Sequence, residues 1–180
     1  MAKAMTPPDK VLDGDSANWK NWMSELSPTT CEDCVKLHGK IYPMKMFVPL
    51  PLHINGKCKV VPMRTKVAGT ATNMGQNGVD VYLLEHGKLP GYYLTKKDAE
   101  LNGWRAPKGN LGTVLPGRTI GGDVFYNDKN KLPDAVGRVW YEADFNYVSG
   151  WRNDYRVLYS NDGLIFITYD HYKTFYELHS

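Results

Sequence analysis

The sequence predicts an α+β fold, and three observations carry that expectation. Apolar residues recur at three- and four-residue spacing in the first two thirds, and at two-residue spacing from Arg118 onward. Glycine, asparagine and aspartate punctuate the later segments at turn positions. Helical patterns first and strand patterns afterwards give helices packed on an antiparallel sheet, where alternating patterns would give a parallel one.

In chain order, residues 1–15 read as a flexible N-terminus, and Asp15 or Ser16 caps a short helix carrying Trp19, Trp22, Met23 and Leu26. The stretch CEDCVKLHGKIYPM reads as a tight knuckle leading to a hairpin, because Gly39 follows a polar turn and Ile41 and Tyr42 resume the apolar pattern. Residues 16–63 form a small Cys/His module on this reading. Residues 64–77 supply Gly, Thr and Asn with few large apolar side chains, which predicts a linker. From residue 78 a second domain begins. Val79, Tyr82, Leu83 and His86 mark a helical stripe closed by Gly87, Thr95 and Asp98 fit a capping box for a helix ended by Gly103, and a short third helix covers Leu111 to Leu115. RTIGGDVFYN, GRVWYEADFNY, DYRVLYS, GLIFITYD and KTFYEL then read as five strands joined by Asn, Asp and Gly turns.

Composition narrows the function classes. Hydrophobic residues make up 42% and charged residues 23%, as in a soluble globular protein. No apolar run approaches the ~18 residues that span a bilayer, and MAKAMTPPDKVLDGDS has no signal-peptide core, so no membrane role is expected and any export uses another route. The net charge of +3 divides into 10 basic and 6 acidic residues over 1–69 and 12 and 13 over 70–180. A sequence-indifferent nucleic-acid binder is more basic than the second part. Chemistry on RNA therefore rests on a few focused cations.

Cys31, Cys34 and Cys58 all lie in the first third, an odd number with one C-x-x-C pair, which argues against a disulfide framework. With His53 they give C-x2-C…H-x4-C, a mixture suited to a closed tetrahedral zinc site that stabilises a module poor in core residues. Free buried thiols and a redox C-x-x-C pair are the alternatives, and His38 is a substitute ligand.

In VWYEADFNY, alternation puts Val139, Tyr141, Ala143 and Phe145 on a core face and Trp140, Glu142, Asp144 and Asn146 on the other. Arg156 turns to that second face on the next strand, so Glu142 and Arg156 share an exposed concave surface. One carboxylate, Arg152, Arg156 and His171 provide a general base, fixed positive charge and a general acid, enough to cleave RNA without a metal when the 2'-OH is the nucleophile. Read one by one, Glu142 and Arg156 also suit a structural ion pair and His171 a loop. Trp104, Trp140 and Trp151 suit core or lid positions, and Asp123 with Arg138 a structural ion pair.

From Val79 to Leu178, the segments KLPGYYLTKKDAELNGW, KGNLGTVLPGRTIGGDVF, GRVWYEADFNYVSGWRNDYRVLYS and DHYKTFYEL resemble the barnase-type bacterial ribonucleases. The resemblance implies N-terminal helices packed on a five-stranded antiparallel sheet, and an endoribonuclease that needs no catalytic cofactor. It makes Glu142 the general base and His171 the general acid of a reaction through a 2',3'-cyclic phosphate. Lys96, Arg152 and Arg156 become the cations that hold the phosphate, Asp144 the buried carboxylate orienting the arginines, and Tyr172 an aromatic lining the groove. Phe125 and Asn127 match a base-recognition loop, in which Asp128 and Lys129 stand where the family has Arg and Glu, so an altered base preference is expected. The family also implies an acidic, barstar-like immunity protein as partner. Residues 29–63 resemble the Cys/His tail of phage minor head proteins, which suggests the toxic C-terminal part of a delivered interbacterial effector acting in the target-cell cytoplasm. The alternative is a catalytically silent interaction module of a phage-head-like protein.

Overall fold

A computed structural model describes residues 17–50 and 56–180. The predicted cap at Asp15 or Ser16, the N-terminal segment 1–15 and the expected ligand His53 lie outside the described residues.

The predicted helix at Trp19 is instead a strand, β1 (Trp19–Ser24), between β2 (Ile41–Pro43) and β3 (Cys58–Pro62) in an antiparallel three-stranded sheet of order β2-β1-β3. Trp19 and Trp22 are three apart, which suited a helical stripe, but Trp22 and Ser24 are the two positions buried, at strand spacing. Pairing on both edges satisfies the backbone of β1, a gain that a lone two-turn helix cannot match. The knuckle is a short helix, α1 (Glu32–Leu37), with the Cys31 sulfur accepting from the Cys34 N–H at 3.4 Å as its N-cap.

Residues 64–77 do not act as a plain linker. They contain β4 (Thr65–Val67), followed by a loop in which the fully buried Asp80 carboxylate accepts from the N–H groups of Gly69 and Ala71 and from the Thr72 hydroxyl. The expected helices follow: α2 (Val79–His86), closed by Gly87 at φ 64°, α3 (Lys96–Leu101), capped by Thr95, and α4 (Leu111–Val114). Between the first two lies a two-residue strand, β5 (Tyr93–Leu94).

All five predicted strands form, as β6 (Thr119–Phe125), β7 (Trp140–Asp144), β8 (Arg156–Ser160), β9 (Ile165–Thr168) and β10 (Tyr176–His179). They pair antiparallel in sequence order, and the sheet is widened to seven strands by β4 against β10 and β5 against β6, both parallel. A bulge between Gly121 and Asp123 shifts the β6–β7 register. Gly121 is obligatory there: a Cβ would stand 2.5 Å from the Ala143 Cβ and 2.6 Å from the Tyr93 ring.

The sheet is covered on both faces, which corrects the expectation of an exposed second face. Ala143, Phe145, Val157 and Ile167 pack with Val79 and Leu83 of α2, and Ile120 packs with Ala99, Trp104 and Leu111 beside it. On the other face, Trp140, Leu158 and Phe166 pack against Ala17, Ile41 and Met63 of the N-terminal part. Burying such side chains stabilises by about 1.5–3 kcal/mol each, so the small sheet is docked on the large one and not merely tethered. Asn18 reinforces the docking, donating its N–H and side-chain amide to the two oxygens of Glu177 at 2.9 and 2.8 Å.

Candidate active site

The face that carries Trp140, Leu158 and Phe166 continues, two residues further along the strands, into a polar cluster. On β7, Glu142 and Asp144 are buried to 7% and 0% exposure, and on β8 Arg156 is 4% exposed. Carboxylates and guanidinium groups are tolerated at that depth only when they are paired. Arg152 meets Asp144 bidentately, Nε to Oδ2 at 2.6 Å and Nη2 to Oδ1 at 2.7 Å. Arg156 Nε forms an ion pair with Oδ1 at 3.0 Å, while Nη1 donates to the carbonyls of Asn153 and Tyr155. The Tyr93 hydroxyl donates to the Asp144 carbonyl at 2.7 Å.

Glu142 has its own donors. Lys96 Nζ contacts Oε1 at 2.5 Å and the Tyr172 hydroxyl donates to Oε2. Burial alone would raise the carboxyl, but the hydrogen bonds from Lys96 and Tyr172 and the charges of Lys96 and Arg152 outweigh it and hold Glu142 below the usual carboxylate range. Burial and the adjacent carboxylate push the Tyr172 phenol far above its ordinary value, so it remains a neutral donor. Glu142 is thus an ionised carboxylate beside strong donors and the Arg152 charge, the state in which it can accept a proton.

Asp123 was expected to pair with Arg138. Arg138 instead binds Asp162, Nε at 2.9 Å and Nη2 at 2.7 Å, and the bulge turns Asp123 onto the Lys96 N–H, with both carboxylate oxygens within 3.2 Å. Asp123 therefore fixes the start of α3 and with it the root of the Lys96 side chain. Two consecutive glycines inside a strand pattern were the sequence signal for such a bulge.

His171 is exposed and lies one residue from Tyr172, with ring centroids 4.7 Å apart. Both adopt left-handed backbone, at φ 55° and 67°. Beside them a cavity of about 380 Å³ is walled by Phe125, Asn127, Asp128, Lys129, His171 and Tyr172. The Phe125 and Tyr172 rings stand 5.2 Å apart. Asn127 ties the loop closed, donating to the Leu132 carbonyl at 2.8 Å and accepting from its N–H at 3.1 Å. The predicted catalytic and base-loop residues thus converge on one end of the sheet. Trp104 and Trp140 are core residues, whereas Trp151 is exposed.

The cysteines also meet, but differently from the expected cage. The Cys34 and Cys58 sulfurs are 3.0 Å apart, closer than the ~3.8 Å edge of a tetrahedral thiolate site with ~2.3 Å metal bonds. Hydrogen bonds with Cys58 and Cys31 push the Cys34 thiol up to about 12. Among the described residues no group of three or more His, Cys, Asp or Glu is arranged to hold a metal ion. His38 does not join the thiols: its Nδ1 accepts from the Ser24 N–H at 3.1 Å, and its ring faces a separate cavity.

The electrostatics of Glu142 give a direct test. Because its native value is depressed, ionised Glu142 contributes stability above its unfolded pKa and loses it as pH falls through the lower native value. A carboxyl-carbon NMR titration is expected to place Glu142 below an ordinary glutamate, and Lys96→Met to move its midpoint upward. An unchanged midpoint in the variant would contradict the assignment of Lys96 as its main donor.

Known proteins bear on this geometry. The ribonuclease family matches residues 77–179. Over 99 residues, 55% of the chain, it is 56% identical to ribonucleases of Heyndrickxia coagulans, Bacillus intermedius and Bacillus pumilus. That stretch covers 91% of the first relative and 61% of each of the other two. The whole cluster from Lys96 to Tyr172 lies inside the matched region, and the chain belongs to the ribonuclease family, as an enzyme of the bacterial barnase type.

Proposed function

We propose that the chain is a metal-independent endoribonuclease that cleaves single-stranded RNA by transesterification at the 2'-OH. Glu142 takes the 2'-OH proton as that oxygen attacks phosphorus, and His171 protonates the departing 5'-oxygen. The product 2',3'-cyclic phosphate is then hydrolysed with the two roles exchanged. Lys96, Arg152 and Arg156 bind the phosphate and stabilise its transition-state charge, a task suited to cations already fixed in place. The observation that carries the reading is the ionised, buried Glu142 with Lys96 and Tyr172 on its two oxygens. A silent interaction module would bear the cost of burying that carboxylate without using it.

In the loop from Phe125 to Lys129, the base meets Asp128 and Lys129 where the family has Arg and Glu, which supports an altered base preference. The same chemistry supports an acidic immunity protein of the barstar type, whose carboxylates would complement the cationic cluster. The chain's place in an interbacterial toxin rests on the resemblance of its first third to phage minor head tails. Among the described residues no helix is long and apolar enough to cross a membrane.

Cys31, Cys34 and Cys58 are proposed to hold a structural zinc ion with a fourth ligand, His53, once the sulfurs spread from their present contact. The C-x2-C…H-x4-C spacing supports this, together with the placing of all three cysteines on the wall of one cavity of about 350 Å³.

Two measurements test these readings. RNA incubated with the chain in excess chelator is expected to yield 2',3'-cyclic phosphate ends, with Glu142→Ala and His171→Ala each reducing the rate by at least about a hundredfold. Absence of cleavage by the wild type both with chelator and without it, or full activity in both variants, would sink the catalytic reading. Defined oligonucleotides in the same assay read the base preference, and cleavage almost only after G would contradict an altered loop. Elemental analysis of the purified chain is expected to find one zinc per chain, lost in Cys34→Ser; a metal-free wild type would remove the zinc proposal.

A further inference from the structure

The Lys131 side chain joins the turn carrying His171 and Tyr172 to the loop from Tyr126 to Asp134. Lys131 Nζ donates to the Tyr172 carbonyl at 3.3 Å. The main-chain carbonyl of Lys131 accepts from the N–H of Ile41, on β2 of the small sheet, at 3.1 Å. Its stem passes close to Gly39, where an added Cβ would stand 3.9 Å from Lys131 Cε. Lys131 thus touches the base loop, the catalytic turn and the N-terminal sheet at once.

Tyr172 needs such support. At φ 67° it holds a left-handed backbone that a bulky side chain keeps only when its surroundings fix it. Its N–H donates to the Thr168 hydroxyl at 3.1 Å and its phenol to Glu142, leaving the carbonyl to Lys131. The Lys131 amine is partly desolvated and has Lys129 near it, both of which disfavour its charge, while Asp170 favours it. The Asp170 carboxylate is itself engaged with the Thr168 hydroxyl and the N–H groups of Lys173 and Thr174, within the same turn.

On the base-and-acid reading of Glu142 and His171, we infer that Lys131 is a positioning residue of the active site: anchored by the N-terminal sheet, it holds the His171–Tyr172 turn so that the phenol stays on Glu142 and the imidazole beside the cleavage point. The phosphate-binding cations Lys96, Arg152 and Arg156 stand on other elements and do not depend on it. Its loss therefore weakens the chemical step and leaves binding nearly intact.

The test uses the full chain as Lys131→Met, which keeps the stem and removes the donor, and as Lys131→Arg, which restores a donor. Steady-state kinetics on an oligonucleotide are combined with amide hydrogen exchange over residues 168–174. Lys131→Met is expected to lower kcat about tenfold with KM within about twofold, and to speed exchange in that turn, with Lys131→Arg recovering most of both. Unchanged kcat and exchange, or a rise in KM alone, would overturn the inference, the last because it makes Lys131 a substrate contact. If the wild type does not cleave RNA, the base-and-acid reading falls, and exchange in the turn alone decides whether Lys131 holds it.

Discussion

The site depends on one buried carboxylate. Asp144 has no exposed surface, and it draws two guanidinium groups onto the strand face that also carries Glu142. Without it, Arg156 would be a buried charge with no counter-ion, a condition that costs about 3–5 kcal/mol when one partner of a buried pair is removed. With it, both arginines are fixed in place, and on the proposed mechanism their positive charge is ready for the phosphate of the substrate. On that mechanism, fold stability and catalytic electrostatics rest on the same interaction.

Around that centre, the sheet face is divided by function. Trp140, Leu158 and Phe166 lie under the N-terminal sheet, while Glu142 sits opposite Leu158 and the Asp144–Arg156 pair follows along the same strands. The small sheet thus seals the apolar end, and Glu142, Asp144 and Arg156 are themselves almost wholly buried, where water is largely excluded and donors are worth more. The bulge at Gly122 belongs to the same plan, since it aims Asp123 at the start of α3 and so sets the position of Lys96.

Much of this could be read from the residues. Two-residue alternation located all five antiparallel strands and put Glu142 and Arg156 on the face opposite Ala143 and Val157, because successive side chains of a strand point to opposite faces whether or not both are covered. Thr95 and Gly87 marked helix ends by local chemistry alone. What failed was either short or long-range. Trp19 and Trp22 fit a helix as well as a strand, and only pairing with β2 and β3 decided between them. The parallel edge strands β4 and β5 are three and two residues long, too short to show any period. The partners of Asp123 and Arg138 are set by tertiary geometry that no spacing encodes. Nor could alternation reveal that a second sheet covers the face assumed to be open, because that contact joins residues far apart in the sequence.

Asp144 and the arginines are expected to act as one unit in both stability and catalysis. A double-mutant cycle on Asp144→Asn and Arg152→Met, read in urea unfolding and in kcat/KM, tests it most directly. Strong coupling is predicted, about 2 kcal/mol in stability, with the double variant scarcely less active than Asp144→Asn alone. Additive losses in both readouts, or an Asp144→Asn chain with wild-type activity, would contradict it.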